Sequence, residues 1–148
     1  VAASTNRLTL IAAIIPPLVV TTHTIFCLRE PLDDDAQWFL CGIFNSFVAN
    51  YFVRLRAGTH VPASVIHRLP APKPASDSIL FARIAALARG AAADASARPA
   101  LQSLAARAYG LSRDDLRYVL GTFPLVPIDE RAAVVAAFER QETTFLSA

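Results

Sequence analysis

The 148-residue chain has no methionine, one tryptophan and only two cysteines, Cys27 and Cys41. Two thiols cannot build the multi-bridge framework of a small secreted domain. The three histidines, His23, His60 and His67, form no H-x3-H pair, so neither they nor the cysteines have the spacing of a four-ligand zinc site. The five glycines stand singly, and none belongs to a G-x-G-x-x-G loop that could cradle phosphates. No G-x-S-x-G elbow occurs, and Cys41 falls within an apolar helical face, where a thiol is inert. No catalytic constellation is therefore present. With 54% hydrophobic residues and a formal charge of only +2, the chain is not a disordered tail either.

Long uninterrupted apolar runs are also missing. The most apolar stretch, Trp38–Leu55, is broken by Asn45, Ser46, Asn50 and Arg54, each costly at bilayer depth, so it reads as a buried helix and not as a membrane span. The opening LTLIAAIIPPLVV has only Arg7 ahead of it and Pro16-Pro17 inside it, which does not fit a signal peptide. A cytoplasmic setting with reduced thiols is expected. The first apolar run begins almost at once, with no initiator methionine, so the chain reads as part of a longer protein.

What the chain does have is alanine, 28 residues of it, which favours helix. The apolar run 8–15 and the β-branched, aromatic run 18–29 read as two buried strands joined stiffly by the proline pair. Asp33-Asp34-Asp35 then opens a helix over 34–57, whose residues Phe39, Ile43, Phe47, Val48, Tyr51 and Leu55 recur every three or four positions, with Gly58 as its stop. Pro62 can start a short turn of helix, VIHRLP reads as extended, and PAPKP as a proline-spaced surface connector. Beyond it, helices are expected over 78–89, 101–109 (stopped by Gly110), the DLRYVLG segment introduced by a Ser112/Asp115 capping box, and 129–142, with Val134, Val135 and Phe138 inward. The expected fold is α+β, with short N-terminal strands packed on a long apolar helix in residues 1–74 and a mostly helical subdomain in 75–148.

One charge asymmetry points outward. Between residues 54 and 73 lie Arg54, Arg56, Arg68 and Lys73, with His60 and His67, and no carboxylate. Such a stretch can meet phosphates, with a nearby threonine or histidine reading a base edge. It also fits a solubilising surface between buried segments.

Two segments carry a family likeness. RLTLIAAIIPPLVVTTHTIFCLR followed by FLCGIFNSFVANYFVRLRAGTHVPASVIHRLPAPKP resembles the C-terminal region of Eco57I-type adenine-N6 DNA methyltransferases, a group that includes fused restriction–modification enzymes and phage-defence methylases. The matching elements are Leu10–Pro17, Thr22-His23-Thr24, Asn45-Ser46, Arg54, Thr59-His60 and Leu69-Pro70-Ala71-Pro72. LQSLAARAYGLSRDDLRYVLGTFPLV, with Arg131 and Phe138 after it, resembles that region's tail. Together they cover nearly the whole chain in order; Thr22 departs from the family, where glycine is common. The resemblance implies a target-recognition region that binds double-stranded DNA while an upstream domain of the same enzyme, holding S-adenosylmethionine, receives the flipped adenine. No N-P-P-Y-type motif lies in this chain, so the chain itself is expected to hold no cofactor or metal and to be non-catalytic. Arg54, Arg56 and Lys73 are the implied phosphate contacts, and His23, Thr24, Thr59 and His60 the groove-facing candidates. Asn45 and Ser46 can instead tie their helix to neighbouring backbone. The alternative is a structural or partner-docking module of the same enzyme that does not touch DNA.

Overall fold

The computed structural model describes residues 6–22, 25–28, 32–57 and 61–146, with side chains through residue 140. Helix accounts for 59% of the described residues and strand for none, so the fold is all-α and the expected α+β architecture is overturned. Seven α-helices follow in order: α1 Asp34–Phe44, α2 Phe47–Arg54, α3 Ala63–His67, α4 Ile79–Ala93, α5 Arg98–Ala108, α6 Arg113–Gly121 and α7 Ile128–Leu146, with one 3₁₀ turn at Ala95–Ala97.

The expected single helix over 34–57 is interrupted at Asn45 and Ser46. Serine and asparagine compete with the helical backbone in a helix interior and favour its ends. Asn45 becomes the C-cap of α1, and Ser46, with extended backbone, becomes the N-cap of α2, its hydroxyl accepting from Ala49 N–H. Gln102 of α5 closes the break from outside: its Oε1 accepts from Phe47 N–H at 2.8 Å and its Nε2 donates to Asn45 C=O at 3.0 Å. The acidic run keeps its helix-start role. Asp33 caps α1, while Asp34 and Asp35 both pair with Arg89 of α4.

Two apolar cores meet at α5. One joins Phe39 and Ile43 of α1, Ile84, Ala85 and Ala88 of α4, and Leu101, Leu104 and Ala105 of α5. The other joins Phe47 and Val48 of α2, Ala106 of α5, Leu116, Val119 and Leu120 of α6, Phe123 and Val126 of the following loop, and Val134 and Phe138 of α7. Both cores draw residues from either side of position 74, so the change of composition there does not divide the packing. Gly42 sets the α1–α4 approach, because a β-carbon on it would lie 3.0 Å from the Ala88 Cβ and 3.1 Å from Leu101 Cδ1.

The later helices follow their sequence signals closely. Gly110 takes φ +72° after α5, where its N–H and that of Leu111 bond back to Arg107 and Ala106. Ser112 and Asp115 form the reciprocal capping box of α6. Val134 and Phe138 are buried and Val135 is half-buried. In the connector, Val65–His67 belong to α3 and are not extended, whereas 69–75 has no regular structure. Gly58 lies outside the described residues.

The two expected strands are absent for a physical reason. A strand needs a partner ladder, and the first apolar run meets helices alone. The amides of Thr9, Leu10 and Ala12 are answered by the side chains of Asn50 and Asn45 instead of a neighbouring strand. The second run, over its described residues 18–22 and 25–28, is largely exposed, and its backbone closes a turn, Ile25 N–H donating to Thr22 C=O at 3.1 Å, where a ladder was expected.

Candidate nucleic-acid interface

The residues that the sequence singles out by charge, by polarity or by resemblance fall into three groups. The first is an interior knot. Asn50 on α2 is fully buried. Its Oδ1 accepts from the amides of Thr9 and Leu10, both at 2.8 Å, and its Nδ2 donates to Ser46 C=O at 3.0 Å and Phe44 C=O at 3.2 Å. Asn45 pairs its amide with both backbone groups of Ala12, accepting from N–H at 3.0 Å and donating to C=O at 2.8 Å. Two asparagines five positions apart thus hold an extended segment across the helix break, much as a neighbouring strand would.

Arg54, one turn beyond Asn50, completes the knot. Its Nε donates to Thr9 Oγ1 at 3.1 Å, its Nη1 to Thr122 C=O at 3.1 Å, and its Nη2 to Asn6 C=O at 2.7 Å and Arg7 C=O at 3.2 Å. The guanidinium also lies 4.1 Å from the Phe123 ring centroid. Among the described residues it pairs with no carboxylate, and burial pushes its pKa down from the usual arginine value. Thr9, Arg54 and Thr122-Phe123 come from both resembling segments, and Arg54 binds the two together. Its guanidinium is engaged by protein oxygens, with the two Nη2 bonds at the exposed edge, so a phosphate contact there would have to displace these bonds. Arg7 adds an ion pair to Glu130 of α7.

The second group is exposed. Arg56 lies two residues beyond α2 with its guanidinium 6.0 Å from the Phe52 ring, and its Nη1 donates to Phe52 C=O at 3.4 Å. Phe52 belongs to a run of ring contacts, Tyr109–Phe52–Tyr51–Tyr118, with centroids 5.8, 5.9 and 6.2 Å apart. Arg68, Lys73 and His67 are also exposed. Among the described residues, no ion pair engages Arg56, Arg68 or Lys73, and no hydrogen bond or ring contact joins them to one another. The third group, His23, Thr24, Thr59 and His60, lies outside the described residues.

Sequence reasoning passes over Asn50 except as an interruption of an apolar run, and it passes over Gln102 entirely. Asn50 had a signal: an amide at the spacing of buried Phe47 and Val53 must find partners indoors. Gln102 had none, because its partners lie on another helix.

A groove of about 660 Å³ runs between residues 11–14, Trp38 and Cys41 of α1, the alanines of α4, and Arg98 and Gln102 of α5. Cys41 lies in its wall, where burial raises the thiol pKa and keeps it protonated. The groove's one lining carboxylate, Glu130, is paired with Arg7. No group of three His, Cys, Asp or Glu side chains gathers among the described residues, and no described helix is long and apolar enough to cross a membrane. No protein-family model, curated protein or solved structure matches this chain.

Proposed function

We propose that the chain is the non-catalytic target-recognition region of an S-adenosylmethionine-dependent adenine-N6 DNA methyltransferase, working in the cytoplasm. In this reading it grips double-stranded DNA while the target base turns into the pocket of a separate methyltransferase domain of the same enzyme, and that domain holds the cofactor. The observation that carries the reading is the Arg54 knot: the separated elements that resemble the family (Leu10–Pro17, Asn45-Ser46, Arg54 and Thr122-Phe123) meet as one hydrogen-bonded unit. This meeting of the resembling elements is what supports the reading.

Within this reading the roles divide. Arg54, Asn45 and Asn50 are positioning residues that shape the region from inside. Phosphate contact falls to the exposed Arg56, Arg68 and Lys73, whose stretch of chain carries no carboxylate. The test is fluorescence anisotropy of the chain on duplex DNA across a salt series. Replacing Arg56 and Lys73 by alanine is expected to flatten the log–log salt dependence by about two units, near 0.9 for each phosphate no longer neutralised. An unchanged slope overturns the assigned contacts. The second reading, a docking module that does not touch DNA, draws on the engagement of Arg54 by Thr9, Thr122 and the Asn6 and Arg7 carbonyls, and absence of binding at low salt by the folded chain is its signature.

A further inference from the structure

The groove beside α1, α4 and α5 is lined by polar groups that, with one exception, are already engaged inside the protein. The Asn45 amide accepts from Ala12 N–H and donates to the carbonyls of Ala12 and Cys41, at 2.8 and 2.9 Å. Gln102 bridges Phe47 N–H and Asn45 C=O. Arg7 and Glu130 neutralise each other. The exception is Arg98, exposed at the first position of α5, which lines the groove and among the described residues makes no ion pair. The acid nearest to it in sequence, Asp94, is not part of the lining and is held by the amide and hydroxyl of Ser96. The remaining walls are mostly hydrocarbon, from Ile11 and Ile14 on one side and Ala91 and Ala92 of α4 on the other, with Trp38 of α1 beside them.

We propose that this groove is a binding site for an aliphatic monocarboxylate, its chain lying along these walls and its carboxylate meeting Arg98. The volume, about 660 Å³, falls within the range of about 300–1,000 Å³ usual for small-molecule sites. An aliphatic chain gains by leaving water for hydrocarbon walls. A chain carrying hydroxyls or amides would lose its water without replacement, because Asn45 and Gln102 are committed elsewhere. A guanidinium presents the paired N–H donors that a carboxylate accepts side by side. One unpaired cation matches one negative charge, whereas a cationic ligand would meet Arg98 with nothing to offset it. The site is separate from Arg56, Arg68 and Lys73 and does not depend on DNA recognition.

The test is titration of the whole chain with decanoate, below its micelle concentration and without DNA, followed by the emission of Trp38, the one tryptophan of the chain and part of the groove wall. Expected is a saturable change with one-to-one stoichiometry. Decyltrimethylammonium, with the same tail and the opposite charge, should bind at least tenfold more weakly. Arg98→Gln should weaken decanoate at least tenfold and leave decanol unchanged. Ala92→Phe, at an exposed position of the lining, should weaken both at least tenfold. Circular dichroism checks that each variant is folded. Cys41 gives a second readout that needs no groove variant: in a Cys27→Ser chain, decanoate should slow the reaction of Cys41 with a thiol reagent. Absence of a saturable change in Trp38 emission overturns the proposal, as does unchanged Cys41 reactivity at high decanoate. Equal binding of decyltrimethylammonium, or decanoate binding that Arg98→Gln leaves intact, also overturns it, since either marks adsorption of a detergent to an apolar surface. With no DNA in the titration, its outcome and that of DNA recognition are read separately.

Discussion

Replacing Asn50 by alanine removes four hydrogen bonds at one buried point: two accepted from Thr9 and Leu10 and two donated to Phe44 and Ser46. Each is worth about 1 kcal/mol net, so the loss is roughly 3–4 kcal/mol. Water can reach the freed amides of half-buried Thr9 and Leu10 once the segment lifts. It cannot so readily reach the carbonyls at the α1–α2 break, which keeps the loss toward the upper end. A domain of this size is stable by about 5–15 kcal/mol, so the variant should remain folded and measurable. Urea unfolding, followed by helical circular dichroism and by the fluorescence of Trp38, gives the magnitude. Hydrogen exchange gives the mechanism: residues 9–12 should lose protection first, while α5 and α6 keep theirs. Asn50→Asp separates the two halves of the interaction. It keeps the acceptor facing Thr9 and Leu10 and loses both donors, so protection of those amides should persist relative to alanine despite lower overall stability. A loss under about 1 kcal/mol for Asn50→Ala, with exchange of residues 9–12 unchanged, would refute the idea that this amide anchors the segment.

Arg54→Ala should cost about 2–4 kcal/mol through its lost charge-assisted bonds and ring contact, and Arg54→Lys should recover only part of it, because an ammonium cannot span Thr9, Thr122 and Asn6 together. Gly42→Ala should destabilise by about 1 kcal/mol, as overpacking of about 1–3 kcal/mol against Ala88 and Leu101 outweighs the helix preference for alanine; thermal unfolding reads it. Ser112→Ala should cost about 1 kcal/mol by removing the α6 cap. In the same box, the bonds from Ser112 lower the Asp115 pKa, so its contribution is present above the usual aspartate range and is lost as pH falls through the lowered value; pH-dependent urea midpoints should show that acid slope weaken in Asp115→Asn. Burial pushes the Tyr109 hydroxyl up to about 12, so the unfolded chain releases its proton first and stability declines as pH rises between roughly 10 and 12, a slope that Tyr109→Phe should remove.

Local chemistry made much of this molecule legible. The Ser112/Asp115 box, the left-handed Gly110, the Asp33 cap and the inward Val134 and Phe138 all depend on residues within a turn or two of one another. Their geometry is therefore written in short spacing. The basic, carboxylate-free stretch from 54 to 73 is likewise a property of sequence alone. Tertiary structure decided the rest. Apolar, β-branched composition shows that residues 8–15 suit extended backbone, but whether they join a sheet depends on what faces them, and here that is Asn45, Asn50 and Arg54 on helices more than thirty positions away. The run of apolar residues from 34 to 57 has helical spacing throughout, yet the break at Asn45-Ser46 is stable because Gln102, on α5, answers the groups it exposes. Arg54 shows the limit most clearly. Its sequence neighbours show a cation, and only long-range packing, which brings Thr9 and Thr122 to its guanidinium and Phe123 beneath it, shows that it also ties separate parts of the chain together.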